Sequence, residues 1–339
     1  MEFLQLPLLL SDSGGDFDMG YVSGAPPRSD SPKLLRWISL LALIATYCLI
    51  VLGSTVRVTH SGMGCRSWPL CNGHIAPLDN FHSAIEQYHR YGAAIVSVLV
   101  FYTGFLAWRH CRRLPRVFVP ALLSCGVILL QVALGALTVL THNAPITVGM
   151  HLVTGLIELA IVTVVAVTTR SGSSLPTERV ALPTGLTKQN VLRWGLVAVM
   201  STLAIIITGS VVVNTHASKS CPQWPFCAGP LHLVAAQYLH RGVVLVGVVL
   251  IGLALHRAWG KWRGLGVGAI IVIDAVILAV QIVIGAFSAI LRAPAYIQDL
   301  HLATAALFWV GIITFATMAW DRMSFHEEQL QSQLDQQVR

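Results

Sequence analysis

The chain has 339 residues, of which 55% are hydrophobic and only 11% are charged, whereas about a quarter of the residues of a soluble domain are charged. This composition excludes a water-soluble globular fold of this length. The formal net charge of +7 is not a nucleic-acid signal, because the basic residues flank apolar stretches and form no aromatic-interleaved patch. Nucleic acid is therefore not an expected partner.

Eight apolar stretches of roughly 20 residues follow one another, each long enough to cross a hydrocarbon core of about 30 Å. They lie at about 36–58, 86–108, 117–140, 148–169, 191–213, 234–258, 266–290 and 296–320. The predicted fold class is an all-α integral membrane protein with eight transmembrane helices in contact with lipid.

Lysine and arginine concentrate before the first stretch and in alternate connections, such as the one with Arg109, Arg112, Arg113 and Arg116. Because cytoplasmic connections carry this excess, both termini are predicted to be cytoplasmic. Residues 1–35 form a polar, Gly/Pro/Ser-rich tail that is predicted to be disordered. Residues 321–339 are predicted to form a second cytoplasmic tail, in which the polar SFHEEQLQSQLDQQVR is expected to form a short helix.

The chain contains an internal repeat. GSTVRVTHSGMGCRSWPLC at 53–71 aligns with GSVVVNTHASKSCPQWPFC at 209–227, and QVALGALTVL at 131–140 aligns with QIVIGAFSAI at 281–290. Four spans per half give both halves one orientation, related by a pseudo-twofold axis along the membrane normal. We therefore predict two tandem four-helix bundles, 36–169 and 191–320, joined by a cytoplasmic linker at 170–190.

Four histidines follow this repeat. EQYHR aligns with QYLHR, which pairs His89 with His240, and HLVTGL aligns with HLATAAL, which pairs His151 with His301. Each is predicted to lie about one turn inside a span that enters from the outer face. Ionisable residues within spans indicate function, and two imidazoles on facing helices are typical haem ligands. Interhelical hydrogen bonds are the alternative, and Zn or Cu would need a third or fourth close ligand.

Two cysteine pairs also repeat, each around a Trp-Pro dipeptide. They are Cys65 with Cys71 and Cys221 with Cys227. Both loops are predicted to lie outside the cell, where thiols oxidise, so we predict one disulfide in each and a role as a lid above the cofactor. A redox-active dithiol or a metal site is the alternative.

Acidic residues distinguish the halves. Glu86 lies three residues before His89, whereas Gln237 takes that position before His240. A carboxyl beside a bound macrocycle could serve as acid, base or electrostatic stabiliser, and the alternative is a solvated interfacial glutamate. Glu158 and Asp274 are candidate proton-relay or packing residues without acidic counterparts.

Further polar residues recur in both halves. Arg90 and Arg241 follow the first histidine of each half and could pair with haem propionates, with headgroups or with a neighbouring helix. Gln131 with Gly135, and Gln281 with Gly285, are predicted to allow close helix packing with a hydrogen bond. His60 and His216 are expected to have a loop or rim role.

Together these motifs, over residues 36–320, resemble the haem A synthase family. The resemblance rests on SGMGCRSWPLC followed by EQYHR, on SCPQWPFC followed by QYLHR, and on His151 and His301. It implies hydroxylation of the C8 methyl of haem O through haem I to the formyl group of haem A, which supplies cytochrome c oxidase. The first loop departs from the family, which often has Pro-Asp after the first cysteine.

The resemblance also assigns the site residues. It implies that His89 and His151 ligate the substrate haem O, that Glu86 is the catalytic carboxylate, and that His240 and His301 ligate the iron of haem b. It indicates the plasma membrane of a bacterium, an electron donor that the sequence does not identify, and haem O synthase or a second copy of the chain as candidate partners.

Two other functions fit the histidine pattern. One is a di-haem b-type electron-transfer protein, which commonly takes two ligands from one helix. The other is a haem transporter or chaperone, which would not require Glu86.

Overall fold

Eight long α-helices make up most of the protein. The structure, a computed structural model, describes residues 31–75, 80–171, 186–215, 217–219, 221–226, 228–262 and 265–338. The helices are α1 (Lys33–Val58), α2 (Phe81–His110), α3 (Pro115–Leu140), α4 (Pro145–Ser171), α5 (Lys188–Asn214), α6 (Leu231–Lys261), α7 (Gly268–Ile290) and α8 (Ala295–Val338). Each contains a window long and apolar enough to cross a membrane, which confirms the eight predicted spans and the all-α fold class.

Several helices begin at capping residues rather than at the edge of the apolar stretch. The Asn80 side chain accepts a hydrogen bond from the Ser83 amide before α2, and a proline begins both α3 and α4, as is common at helix N-termini. His89 consequently lies eight residues into its helix and His151 six. The helices thus begin before the predicted apolar spans, because the polar first turns belong to the helices.

The C-terminal segment continues α8 without a break to Val338. Its sequence after residue 320 is rich in Glu, Gln and Leu and contains no Gly or Pro, so nothing in it ends a helix. Glu328 pairs with Arg116 at the start of α3, and the Glu327 carboxylate lies 3.3 Å from the Lys188 ammonium at the start of α5. The predicted C-terminal tail is therefore a helix that reaches both halves.

The predicted N-terminal tail and linker fall mostly on residues 1–30 and 172–185, which lie outside the described residues. The ends that are described are helical. Within the predicted tail, α1 begins at Lys33, and within the predicted linker, α4 continues to Ser171 and α5 begins at Lys188.

Both halves pack as helix bundles and share an interface. In the first half α1 packs on α2 and α4, and α3 packs on α2 and α4; in the second, α5 packs on α6 and α8, and α7 packs on α8. α8 also contacts α1 and α4. The Trp309 indole nitrogen donates to the Leu156 carbonyl at 2.9 Å, and the Thr55 hydroxyl donates to the Asp299 carboxylate at 2.7 Å. The two halves therefore form one body.

Candidate haem-binding sites

Each of the four predicted histidines packs its ring against a glycine of the preceding helix. A Cβ atom on any of these glycines would lie only 3.0–3.2 Å from the histidine Cε1, whereas carbon atoms prefer about 3.5–4.0 Å. The glycines therefore make room for the rings. The pairs are His89 with Gly53, His151 with Gly135, His240 with Gly209, and His301 with Gly285.

The four rings form two facing pairs. His89 of α2 lies close enough to His151 of α4 for an electrostatic interaction, and His240 of α6 has the same relation to His301 of α8. Each half therefore brings two imidazoles together from two helices, as the repeat predicted.

The surroundings of Nδ1 differ between the first histidine of one half, His89, and that of the other, His240. The His240 Nδ1 lies 3.1 Å from the Thr208 hydroxyl, and that hydroxyl donates to the Ala204 carbonyl at 2.9 Å. Thr208 therefore accepts from an Nδ1–H group, which leaves Nε2 of His240 free to bind a metal. Leu52 takes the position of Thr208 in the first half, and the buried His89 Nδ1 has no hydrogen-bond partner among the described residues.

Two glutamines contact the other two histidines. The Gln131 amide donates to the His151 carbonyl at 2.9 Å, and its nitrogen lies 3.5 Å from the His151 Nε2. Gln281 approaches the His301 Nε2 at 3.4 Å. Gln131 and Gly135 therefore both contact His151, and Gln281 and Gly285 both contact His301. The predicted close packing of these helices occurs at the histidines.

Glu86 is buried, with 4% of its surface exposed. One carboxylate oxygen accepts from the Arg90 guanidinium at 2.7 Å, and the other accepts from the Cys65 amide at 2.8 Å. The carboxylate is therefore held in place one helical turn from His89, and the solvated alternative does not apply. In the second half, Gln237 instead donates to the Ala217 carbonyl at 2.9 Å.

The arginines next to the first histidines hold the cysteine loops. Arg90 donates to the carbonyls of Cys65, Ser67 and Pro69. Arg241 makes the same contacts in the second half, with the carbonyls of Cys221, Gln223 and Pro225. Because the position after a ligand histidine points about 100° away from it on a helix, each arginine is placed to support the loop.

The first cysteine loop is closed by a disulfide between Cys65 and Cys71, with their Cα atoms 4.6 Å apart. This confirms that predicted disulfide. Cys221 is also disulfide-bonded, while its predicted partner Cys227 lies outside the described residues. His60 follows α1 two residues after Val58 and has a positive φ of 55°, and its rim role stays a prediction. His216 lies outside the described residues.

The two other acidic candidates lie deeper in the bundle and away from the histidines. In the first half the Ser124 hydroxyl donates to Glu158 between α3 and α4. In the second half Asp274 of α7 lies against Gly311 of α8.

Three residues that contact the histidines were not predicted as site residues. They are Gly53, Gly209 and Thr208, although both glycines stand at the start of the aligned segments.

The donor set fits haem. Three of the four histidines have a buried Nδ1 with no partner among the described residues, and each half supplies two imidazoles, which is what a bis-histidine haem iron takes from a protein. In the described parts of the chain, no group of three or more His, Cys, Asp or Glu side chains is placed to hold a metal ion. The pairs therefore suit a macrocycle that supplies its own equatorial ligands.

Replacing Gly209 by valine is expected to weaken haem binding in the second half by about 10-fold or more, since displaced ligand geometry has effects of 10–100-fold. The added carbons would displace the His240 ring. Haem content per purified chain, measured as the pyridine haemochrome, tests this. Gly252→Val is the matched control, because a Cβ there meets no atom within 4 Å. Equal haem contents of the two variants would contradict the packing argument.

Comparison with known proteins agrees with this architecture. The family described as cytochrome oxidase assembly protein (COX15-CtaA) matches residues 36–313. A protein of Lysinibacillus sphaericus (strain C3-41) named heme A synthase is 25% identical over 309 residues, covering 87% of this chain and 98% of the relative. One of Bacillus pumilus (strain SAFR-032) with the same name is 30% identical over 237 residues, covering 67% and 76%. The chain therefore belongs to the COX15-CtaA family of cytochrome oxidase assembly proteins.

Proposed function

We propose that this protein is a haem A synthase that oxidises the C8 methyl group of haem O, through haem I, to the formyl group of haem A. The observation that carries the proposal is the difference between two otherwise equivalent histidine pairs. Glu86 lies one helical turn before His89 with 4% of its surface exposed, whereas Gln237, which cannot ionise, takes that position before His240. Relatives named heme A synthase support the same reaction.

In the first half, His89 and His151 would hold the iron of the substrate haem O. Glu86 is fixed by Arg90 and by the Cys65 amide, so its charge keeps one position while the substrate binds. A carboxylate held there accepts a proton, or stabilises positive charge beside the reacting methyl group. The disulfide-closed loop contacts this carboxylate through the Cys65 amide, and Glu86 is 4% exposed.

In the second half, His240 and His301 would hold haem b, which relays electrons when bound. The Thr208 hydroxyl fixes the tautomer of His240, and such support raises ligand affinity. His89 lacks this support, which suits a site whose haem must leave after reaction. The retained haem is therefore assigned to the second half and the exchanging haem to the first.

The orientation follows from charge. We propose that the protein lies in a bacterial plasma membrane with both termini in the cytoplasm and both cysteine loops outside, since lysine and arginine concentrate in the connections opposite those loops. The first half, 36–169, and the second half, 191–320, would be related by a pseudo-twofold axis. An electron donor must act with the enzyme, and haem O synthase is a candidate partner.

The direct test is to express the chain with a source of haem O and to identify the extracted haems by mass spectrometry. We expect haem I and haem A to appear. A di-haem electron-transfer protein or a haem carrier would return haem O unchanged. Absence of both products from folded, haem-loaded protein would reject the synthase.

A further inference from the structure

The first half contains a small cavity, with three polar and four apolar lining residues, on the side of the membrane opposite the cysteine loops, here called the far side. All four helices of that half line it, and the space open to a water-sized sphere is about 10 Å³, at the lower limit for a single water. Its polar lining consists of three hydroxyls, from Ser39, Thr103 and Ser124. Three polar partners are the usual number for a buried water.

The cavity connects with the far side through hydroxyl groups. The Ser39 hydroxyl lies 3.3 Å from the Thr169 hydroxyl, near the start of α1 and the end of α4. In the next turn outward, Arg170 donates to the Arg36 carbonyl. A polar path therefore runs from the far-side ends of α1 and α4 to the cavity.

On its inner side the cavity connects with Glu158. The Ser124 hydroxyl donates to one oxygen of this carboxyl group, and the other oxygen is buried with no hydrogen-bond partner among the described residues. Glu158 itself is 1% exposed. Seven residues, or about 10 Å along α4, separate it from His151.

The Gln131 amide lies between this carboxyl and the histidine. Gly155 provides its space, because a Cβ there would lie 3.0 Å from the Gln131 amide nitrogen. The Gln131 amide oxygen is buried and has no partner within the described part of the chain. The polar path thus continues from Glu158 toward the proposed substrate site.

At three of the four positions that form this path, the second half has a residue without a polar side chain. By the repeat, Gly195 replaces Ser39, Ala254 replaces Thr103 and Phe308 replaces Glu158. Ala254 and Phe308 belong to a buried apolar cluster with Phe315. Asp274 lies at the position of Ser124, but both of its oxygens are buried without a partner among the described residues. The polar path is therefore a property of the proposed catalytic half.

We propose that Glu158 is a proton-relay residue, supplied from the far side through one water molecule bound by Ser39, Thr103 and Ser124. As the water takes up a proton from the far side, it passes one of its own to the Ser124 hydroxyl, and that hydroxyl gives its proton to the Glu158 carboxylate. The reverse sequence returns the proton to the water. No bond other than O–H changes.

The role of this relay in the reaction rests on the proposed function. Hydroxylation of a methyl group with water as the oxygen donor releases two electrons and two protons. With dioxygen as the donor, the same step consumes two electrons and two protons and releases one water. In both cases protons must cross between a buried site and the solvent, and only the first half has this path.

Infrared spectroscopy of the purified full-length protein in lipid nanodiscs tests the relay without any haem chemistry. The C=O band of a protonated carboxyl group shifts when H₂O is replaced by D₂O. We expect Glu158→Gln to remove one exchanging band and Asp274→Asn to leave that band in place. If Glu158→Gln removes no band, the carboxyl carries no proton and the proposal is wrong.

Two threonine variants then test the water. Thr103→Val, which removes one polar partner at constant volume, should slow exchange of the Glu158 band about 10-fold, as expected for loss of one hydrogen bond. Thr163→Val is the control, because Thr163 is buried but does not line the cavity. Equal exchange rates in the two variants would overturn the water path.

Haem O conversion tests the role in the reaction separately. Glu158→Gln should reduce conversion to haem I and haem A while haem content stays unchanged, and Glu158→Asp should restore part of it. Normal conversion by Glu158→Gln would overturn the role in the reaction. Failure of the unaltered protein to convert haem O would instead reject the proposed function and leave the exchange result standing.

Discussion

Replacement of His240 by alanine is expected to remove the haem that is retained on purification. His240 is held by the Thr208 hydroxyl at Nδ1 and by close packing against Gly209, both of α5. Loss of a supporting group alone weakens metal binding by about 10–100-fold, so loss of the ligand itself should exceed that range. The measurement is haem b per chain, by absorbance and mass spectrometry of the extracted haem.

The matched variant is His89→Ala at the same position of the first half. We expect it to lose binding of added haem O, because it removes a proposed ligand of that site, and to retain haem b, whose proposed ligands lie in the second half. Loss of haem b in His89→Ala together with full haem b in His240→Ala would reverse the assignment of the two halves. Full haem content in both variants would show that these histidines are not ligands.

The eight helices and the histidine pairs could be predicted from the sequence, because both depend on local features. A helix that crosses a membrane needs about 20 apolar residues, so hydropathy alone locates α3 and α7. The repeat gives each half two histidines, and it predicts that all four lie at the same depth. His89 and His151 could therefore be predicted to lie together in the first half. Helix ends were less predictable, because Asn80 and other capping residues add polar turns outside the apolar stretch.

The contacts around the histidines could not be predicted, because they depend on how helices rotate and cross. Gly53 and Gly209 are ordinary small residues in a helix until a ring from the next helix is placed against them. Arg90 could have faced a propionate or a headgroup, and only the path of the cysteine loop places three carbonyls within its reach. A short helix after residue 320 was expected from the polar segment, but its continuity with α8 was not, because the change from apolar to polar residues was interpreted as the end of the span.

Replacement of Glu86 by glutamine is expected to lower formation of haem I and haem A by about 10²–10⁴-fold, the usual contribution of a positioned acid or base. Haem content should change little. The glutamine carbonyl still accepts from the Cys65 amide, and Arg90 keeps its bonds to the loop carbonyls. Mass spectrometry of haems extracted after growth with haem O measures the conversion.

The double variant Glu86→Gln with Gln237→Glu is the control for charge. It restores the net charge of the protein but places the carboxylate in the second half, so it should remain as inactive as the single variant. Recovery of activity would mean that the carboxylate acts at long range and not on the substrate. Conversion of haem O by Glu86→Gln within about two-fold of the unaltered protein would assign Glu86 to the loop alone, since a positioned acid or base contributes far more.

Arg90→Gln separates the chemical role of Glu86 from its contact with the loop. This variant breaks the ion pair with Arg90 and removes the three carbonyl contacts, yet it keeps the carboxylate and its bond to the Cys65 amide. If Glu86 acts only by holding the loop, Arg90→Gln must be at least as damaging as Glu86→Gln, because it removes more of the loop's support. A carboxylate that acts on the substrate predicts the opposite order, with Glu86→Gln the more severe.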